Sequence, residues 1–304
     1  MSAELVLSAH APAKVNRELR VGELRADGFH EIRSRLVSID LADTIEVAPG
    51  ERGIELSCEG IAVPSDQSNI VVAAARALAE RLGRPPDVRV HLTKRIPVGA
   101  GLGGGSSDAA RTLALLDRLW EARLGLAELS QVAAGIGSDV PFFFVGGEAD
   151  VSGRGEIVSP APDSPGVDLL LFIPPFPMST AEVYAAFRRD ASRGDRRVPA
   201  SLDVQISGKF FGPNDLAFSV LRERPEMSVL LDTARSLASE AAITGSGSAI
   251  VLRGASPDAA SRLASRHPET LLQACRTLSR EEYRLRTESS GGSQWRSLRS
   301  KSFP

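Results

Sequence analysis

The segment Pro97–Ala110, PVGAGLGGGSSDAA, constrains this chain more than any other stretch. Five glycines (Gly99, Gly101, Gly103, Gly104, Gly105) and two serines (Ser106, Ser107) run directly into an amphipathic pattern. Ala109, Leu113, Leu116 and Trp120 recur at spacings of four, three and four, which predicts a helix from Ser107 to about Trp120 with one apolar face. Glycine permits positive φ and close backbone approach, and a helix start presents unpaired N–H groups at the positive end of a dipole. Together they form an anion cradle suited to phosphate. Ser106 and Ser107 are placed either to cap the helix or to contact phosphate and its metal. A plain glycine-rich turn needs one or two glycines, not five.

Two familiar phosphate loops fail on context. Gly99, Gly101 and Gly104 satisfy G-x-G-x-x-G, but that fingerprint belongs in a βαβ unit with an acidic residue at the end of a second strand. Here Pro97 interrupts the approach and another helical pattern follows. No Gly-Lys-Ser/Thr follows the glycines, so the loop is not of the Walker type either.

At 304 residues the chain suggests two domains, and 42% hydrophobic residues suffice for a core in each. The net charge of −2 argues against a nucleic-acid or anionic-membrane partner, and no protein partner is indicated. Cys58 and Cys275 form no CxxC pair, and the four histidines show no metal-ligand spacing. The first residues lack a basic segment followed by a long apolar run, and the apolar stretch Asp168–Met178 is broken by three prolines. A cytoplasmic protein is expected.

Patterning predicts short strands at Lys14–Val21, Thr44–Val47 and Val88–Leu92. A helix capped by Asn69 should stop at Gly83, and another should cover Leu126–Ala134. The Pro-rich Ser159–Gly166 is the candidate boundary, dividing domains at 1–158 and 167–285. Beyond it come a buried strand (Val167–Ile173), a short helix (Ala181–Phe187) and a charged loop carrying Arg188, Arg189, Arg193, Arg196 and Arg197, read as solvated. Helix over Ser228–Ser239, strand over Ala249–Leu252 and helix over Pro257–Ser265 follow. Residues 286–304 are Ser/Gly/Arg-rich without periodicity and read as a disordered tail. Mixed elements without regular βαβ alternation indicate α+β. Only two tyrosines occur, Tyr184 and Tyr283; no role attaches to Tyr283.

PVGAGLGGGSSDAA resembles the second motif of the GHMP small-molecule kinases, Pro-x-x-x-Gly-Leu-x-Ser-Ser. APAKVN (Ala11–Asn16), RADGFHEIRS (Arg25–Ser34), GIGSDVPFF (Gly135–Phe143), MSTAEVY (Met178–Tyr184), PNDL (Pro213–Leu216) and TGSGSAIV (Thr244–Val251) continue the likeness in order over most of the chain. The extended GAGLGGGSS form is similar to the branch of that family acting on 4-diphosphocytidyl-2-C-methyl-D-erythritol in non-mevalonate isoprenoid synthesis. DGFH and MSTAEVY argue against the homoserine and mevalonate branches, and Lys14 with Asp139 against a non-catalytic nucleotide-binding relative.

The resemblance implies a two-domain α+β fold with the active site in the cleft between domains, ATP as co-substrate and Mg²⁺. It implies that Pro97, Val98, Gly99, Ala100, Gly101, Leu102, Gly103, Gly104, Gly105, Ser106 and Ser107 hold ATP. The Mg²⁺ ligands are not legible, Ser107 being one candidate. Asp139 would take the proton of the attacking hydroxyl, with Lys14 beside it to keep the carboxylate ionised and to offset developing charge. Residues alone read Asp139 as a turn or cap residue and Lys14 as a solvated charge. Asn16 would bond near the reacting hydroxyl. His30 would read the cytosine ring, with Phe29 (where tyrosine is usual) and Tyr184 stacking on its two faces and Thr180 adding a polar contact. Gly245, Ser246 and Gly247 would lie beside the triphosphate and substrate. Arg17 stands where an apolar residue is usual, and faces either solvent or the cleft.

Overall fold

The computed structural model describes residues 5–164, 166–195, 209–288 and 290–291. Alternating residues at the N-terminus form two long antiparallel strands, β1 (Leu7–Leu24) and β2 (His30–Pro49), so the strands expected at Lys14–Val21 and Thr44–Val47 are interior pieces of longer ones. Then come β3 (Ile54–Gly60), α1 (Ile70–Leu82), β4 (Val88–Lys94), α2 (Gly104–Leu119), α3 (Leu126–Ile136), α4 (Phe142–Val145), β5 (Glu148–Ser152) and β6 (Ile157–Pro160). Residues 44–49 of β2 pair with β4 and residues 34–37 with β5. β3 lies parallel to β4, and β6 extends β5. The interval between these attachments is bridged by Thr277 and Leu278 at one end and by Arg95 and Ile96 at the other.

α1 starts and stops where its caps dictate: the Asn69 side chain accepts from the Val71 N–H, and Gly83 takes the left-handed conformation at φ 63°. Val71, Leu78, Leu113 and Leu116 of α1 and α2 are buried with Val90 and Leu92 of β4 in the larger core. α2 begins at Gly104, three residues before the expected start. Gly103 at φ 70° is the N-cap, so neither Ser106 nor Ser107 caps the helix.

The rest of the chain builds a second sheet. β7 (Asp168–Ile173), α5 (Thr180–Ser192), α6 (Ala217–Glu223), α7 (Glu226–Arg235), β8 (Ala238–Ile243), β9 (Ile250–Ala255), α8 (Ala259–Arg266) and β10 (Leu271–Arg276) give the antiparallel order β10-β7-β9-β8. A smaller core joins the two sheets, with Ala13, Val15, Val37 and Ile39 against Leu169, Leu171 and Val251. Ile96, Ala100 and Leu102 plug into this joint core, so the glycine-rich loop is anchored by its apolar members. α9 (Arg280–Thr287) then crosses back to the first half, and β11 (Ser290–Gly291) pairs with the start of β1.

Several expectations are corrected. The helix expected at Ala181–Phe187 continues to Ser192, placing Arg188 and Arg189 on a helix rather than in a loop; Arg196 and Arg197 lie outside the described residues. Helix over Ser228–Ser239 ends at Arg235, because Ala238 onward pairs with β9. Of the tail expected over 286–304, Arg286 and Thr287 instead complete α9, whose Tyr283 is buried, and residue 289 and those from 292 lie outside the described set. Ser159 and Pro160, expected in the boundary, belong to β6. Among the described residues, no helix is long and apolar enough to cross a membrane.

Candidate active site

A cavity of about 820 Å³ opens where the glycine-rich loop, β1, the Asp139 segment and the start of α5 converge. Lys14, Asn16, Phe29, His30, Asp139, Thr180, Tyr184, Gly245 and Ser246 line it, as does the loop from Pro97 to Ser106. Of the residues predicted for the site, Ser107 and Gly247 do not. The Ser107 hydroxyl is buried and donates to the Pro12 carbonyl at 2.7 Å, which ties α2 to β1.

β1 aims its polar residues through irregularities. Register shifts between Pro12 and Lys14, and between Asn16 and Glu18, bend the strand. Lys14 and Asn16, two apart, both reach the cavity. The Lys14 ammonium donates to Asn16 Oδ1 at 2.7 Å and to the Gly101 carbonyl at 2.9 Å, and lies 3.7 Å from Asp139 Oδ2. Burial lowers the Lys14 pKa, and the Asp139 carboxylate works against that shift. Asn16 has both amide atoms engaged, Oδ1 by Lys14 and Nδ2 by donation to Ser34 Oγ at 2.8 Å, while its N–H donates to Thr244 Oγ1. Its visible work is therefore to hold Lys14.

Arg17 falls at the second bulge, unpaired in the ladder. It faces neither solvent nor the cleft. It is buried, donates to Glu148 Oε1 at 2.5 Å, to Ser164 Oγ and to the Phe210 carbonyl, and its guanidinium sits 4.4 Å from the Phe210 ring centre.

The loop's carbonyls are bonded inward. Gly99 accepts from the Met178 N–H, Ala100 from Ala249, and Leu102 from Lys14, so β1 and the second half both grip it. The amides of Gly104, Gly105 and Ser106 open α2 and have no intrahelical acceptor. A Cβ at Gly103 would meet Phe143 Cζ at 2.9 Å and Lys14 Cγ at 3.0 Å, so glycine is required for the loop to lie against both.

Beneath the loop is a group that sequence reading missed. Lys94, at the end of β4, is ion-paired with Asp43 and, at 2.7 Å, with Asp108 Oδ2. Asp43 Oδ1 also accepts from the Arg95 and Ile96 N–H groups. All three charged residues are buried. Burial raises the Asp108 pKa well above the usual carboxylate value, Lys94 opposing and Asp43 adding to the shift. The carboxylate in GSSDAA was the available signal, but its partners come from β2 and β4.

At the far end, His30 Nδ1 donates to the Gly22 carbonyl at 2.8 Å, so a ring carrying one proton has Nε2 as its acceptor; that atom is buried without a partner among the described residues. Tyr184 stacks on His30 at 5.8 Å with planes 26° apart. Phe29 is 47% exposed, with the Arg154 guanidinium 4.9 Å from its ring centre. The aromatic pair formed within the protein at this end is His30–Tyr184, with Phe29 lining the same cavity. Thr180 and Ser246 share a hydroxyl hydrogen bond of 2.9 Å.

The GHMP kinases N terminal domain family matches residues 69–147. A 4-diphosphocytidyl-2-C-methyl-D-erythritol kinase of Geobacillus thermodenitrificans is 46% identical over 180 residues, 59% of this chain and 62% of the relative, so that match spans less than two thirds of the relative's length. The kinase of that name from Anaeromyxobacter sp. is 38% identical over 98% of both chains. The chain belongs to the 4-diphosphocytidyl-2-C-methyl-D-erythritol kinase family. A crystal structure of a 4-(cytidine 5'-diphospho)-2C-methyl-D-erythritol kinase superposes with TM-score 0.70 at 32% identity, covering 89% of this chain and 98% of that one. Within this kinase family the mixed α+β architecture is the GHMP kinase fold.

Proposed function

We propose that this chain transfers the γ-phosphoryl group of ATP to the 2-hydroxyl of 4-diphosphocytidyl-2-C-methyl-D-erythritol, yielding the 2-phosphate and ADP, a step of non-mevalonate isoprenoid synthesis. The observation that carries the reading is the Lys14–Asp139 pair, 3.7 Å apart, in one cavity with a glycine-rich loop and a His30–Tyr184–Phe29 base end. A cytoplasmic setting accords with the free Cys58 and Cys275.

In this reading the triphosphate rests on the amides of Gly104 to Ser106, whose positive helix end favours it. Asp139 accepts the proton as the hydroxyl oxygen bonds to Pγ, and the Pγ–O bond to ADP breaks with its electron pair leaving on ADP. Lys14, held by Asn16 and the Gly101 carbonyl, offsets the charge gathering on the equatorial oxygens. The cytosine lies against Phe29 and Tyr184 with its exocyclic amine donating to His30 Nε2.

Among the described residues no three His, Cys, Asp or Glu side chains group to hold a metal, and Ser107 is buried outside the cavity lining. These described residues do not form a protein cage for Mg²⁺.

An ADP-release assay with the CDP-linked substrate, homoserine and mevalonate tests the reading. Turnover should require the cytidine diphosphate. Equal turnover of a plain polyol lacking that group would overturn it.

A further inference from the structure

The cavity is lined by four Lys or Arg side chains, and two of them are spent. Lys14 is paired with Asp139, and Lys94 with Asp43 and Asp108. Arg154 and Arg188 lie within ion-pair distance of no carboxylate among the described residues.

Their positions differ from those of ordinary surface cations. Arg188 follows Thr180 and Tyr184 at successive intervals of four on α5, so all three share the stripe that faces the cavity. Arg154 sits in the turn between β5 and β6, which touches both ends of the site. A Cβ on neighbouring Gly155 would lie 3.3 Å from Ser138 Cβ and 3.5 Å from Asp139 Oδ1. The guanidinium meanwhile reaches over Phe29 and donates one Nη2–H to the Ala134 carbonyl at 2.5 Å. The rest of the fork has no partner among the described residues and is not sealed from solvent. Asp27 is within Coulombic range but is bonded by Arg25.

A substrate with its hydroxyl at Asp139 and its base at Phe29 and His30 must thread whatever links them past Arg154. We propose that Arg154, assisted by Arg188, is a specificity-determining residue that binds the diphosphate of a nucleoside-diphosphate-linked acceptor. This inference rests on the reading of the acceptor given above. A planar fork suits phosphate oxygens, and its stacking on Phe29 holds it pre-aimed without a carboxylate that would have to be displaced. The chain's net charge of −2 supplies no general attraction for an anion, so local cations must do so.

The test is isothermal titration of cytidine and of cytidine 5′-diphosphate into protein saturated with a non-hydrolysable ATP analogue. The wild type should prefer the diphosphate about tenfold or more, the scale of a charge-assisted contact. Arg154→Gln should cut that preference about tenfold and leave cytidine affinity within about twofold, with Arg154→Lys intermediate. Arg188→Gln, more exposed, should cut it about threefold. In turnover, Arg154→Gln should raise KM for the CDP-linked substrate about tenfold with kcat and KM for ATP unchanged. An unchanged preference in Arg154→Gln, or an equal loss of cytidine and diphosphate binding, would overturn the inference. An Arg154-dependent preference without turnover of the CDP-linked substrate would leave the subsite standing and remove the acceptor assignment instead.

Discussion

Lys14 gathers three polar contacts of the cavity on one ammonium. It is buried, bonded to Asn16 and Gly101, and paired with Asp139. Burial disfavours its charged form, so its proton should leave below the ordinary lysine value of 10.5. The alkaline limb of kcat/KM should accordingly fall below that value, and a limb at or above it would separate Lys14 from the rate. Asp139→Asn should lower kcat by about 10²–10⁴-fold while ATP affinity measured by calorimetry stays near wild type. Near-normal turnover in that variant would sink the assignment of the base. Arg17 makes a different prediction. Arg17→Met leaves the buried Glu148 with Arg35 as its one ion-pair partner among the described residues, beside the Ser164 hydroxyl, and urea unfolding should register a loss of about 3 kcal/mol. Among single residues, motif position was a good guide to which side chains meet in the cavity and a poor guide to where each atom points. Ser106 and Ser107 look equivalent in the string, yet one lines the cavity and the other bonds β1, because adjacent helix positions differ by about 100° in direction. Arg17 was illegible because a bulge turns it away from its neighbours' alternation.

The glycine-rich loop is held at both ends by one cluster. Asp43 on β2 fixes the backbone of Arg95 and Ile96 ahead of the loop, and Lys94 links that carboxylate to Asp108 in the first turns of α2 behind it. Two buried carboxylates around one ammonium leave an excess negative charge, borne by Asp108 with its raised pKa, burial being the first cause. A carboxyl whose folded pKa exceeds its unfolded value of 3.8 contributes stability below the unfolded value and loses it as pH rises through the folded one. Asp108→Asn removes that dependence. The melting temperature of the variant minus that of wild type should therefore grow more positive as pH rises above the unfolded value of 3.8, and a pH-independent difference would contradict the charge assignment. Elements with local causes were readable in the sequence: α1 from Asn69 and Gly83, and the apolar face of α2. Boundaries set by distant partners were not. α7 ends where β8 finds β9, and α5 outlasts its apolar pattern because Asp190 is buried against Ser219 and Arg222.

For the molecule as a whole, the α+β class followed from mixed patterning, and the site's membership followed from motifs spaced along most of the chain. What escaped sequence reading was the return of α9. Tyr283 is buried, and its hydroxyl donates to the Phe143 carbonyl at 2.6 Å, which also accepts from Arg111 Nη2. Gly146 has no side chain because the Tyr283 ring lies flat against it. No local pattern announces a contact of this range, and a Ser/Arg-rich neighbourhood suggests the opposite. Tyr283→Phe should cost about 1 kcal/mol, the scale of one hydrogen bond. Tyr283→Ala should cost about 3–5 kcal/mol through the cavity it leaves. Denaturant midpoints would check both, and equal losses would mean that the ring is not packed as described. The same contact imposes an order in time. Phe143 stands against Gly103 and Lys14, and the tyrosine that fastens its carbonyl lies 140 residues later in the chain. On a ribosome adding roughly 5–20 residues per second, the Asp139 segment waits on the order of 10 s for its fastening. A nascent chain thus exposes the Asp139 segment well before it has synthesised the residue in α9 that fastens it.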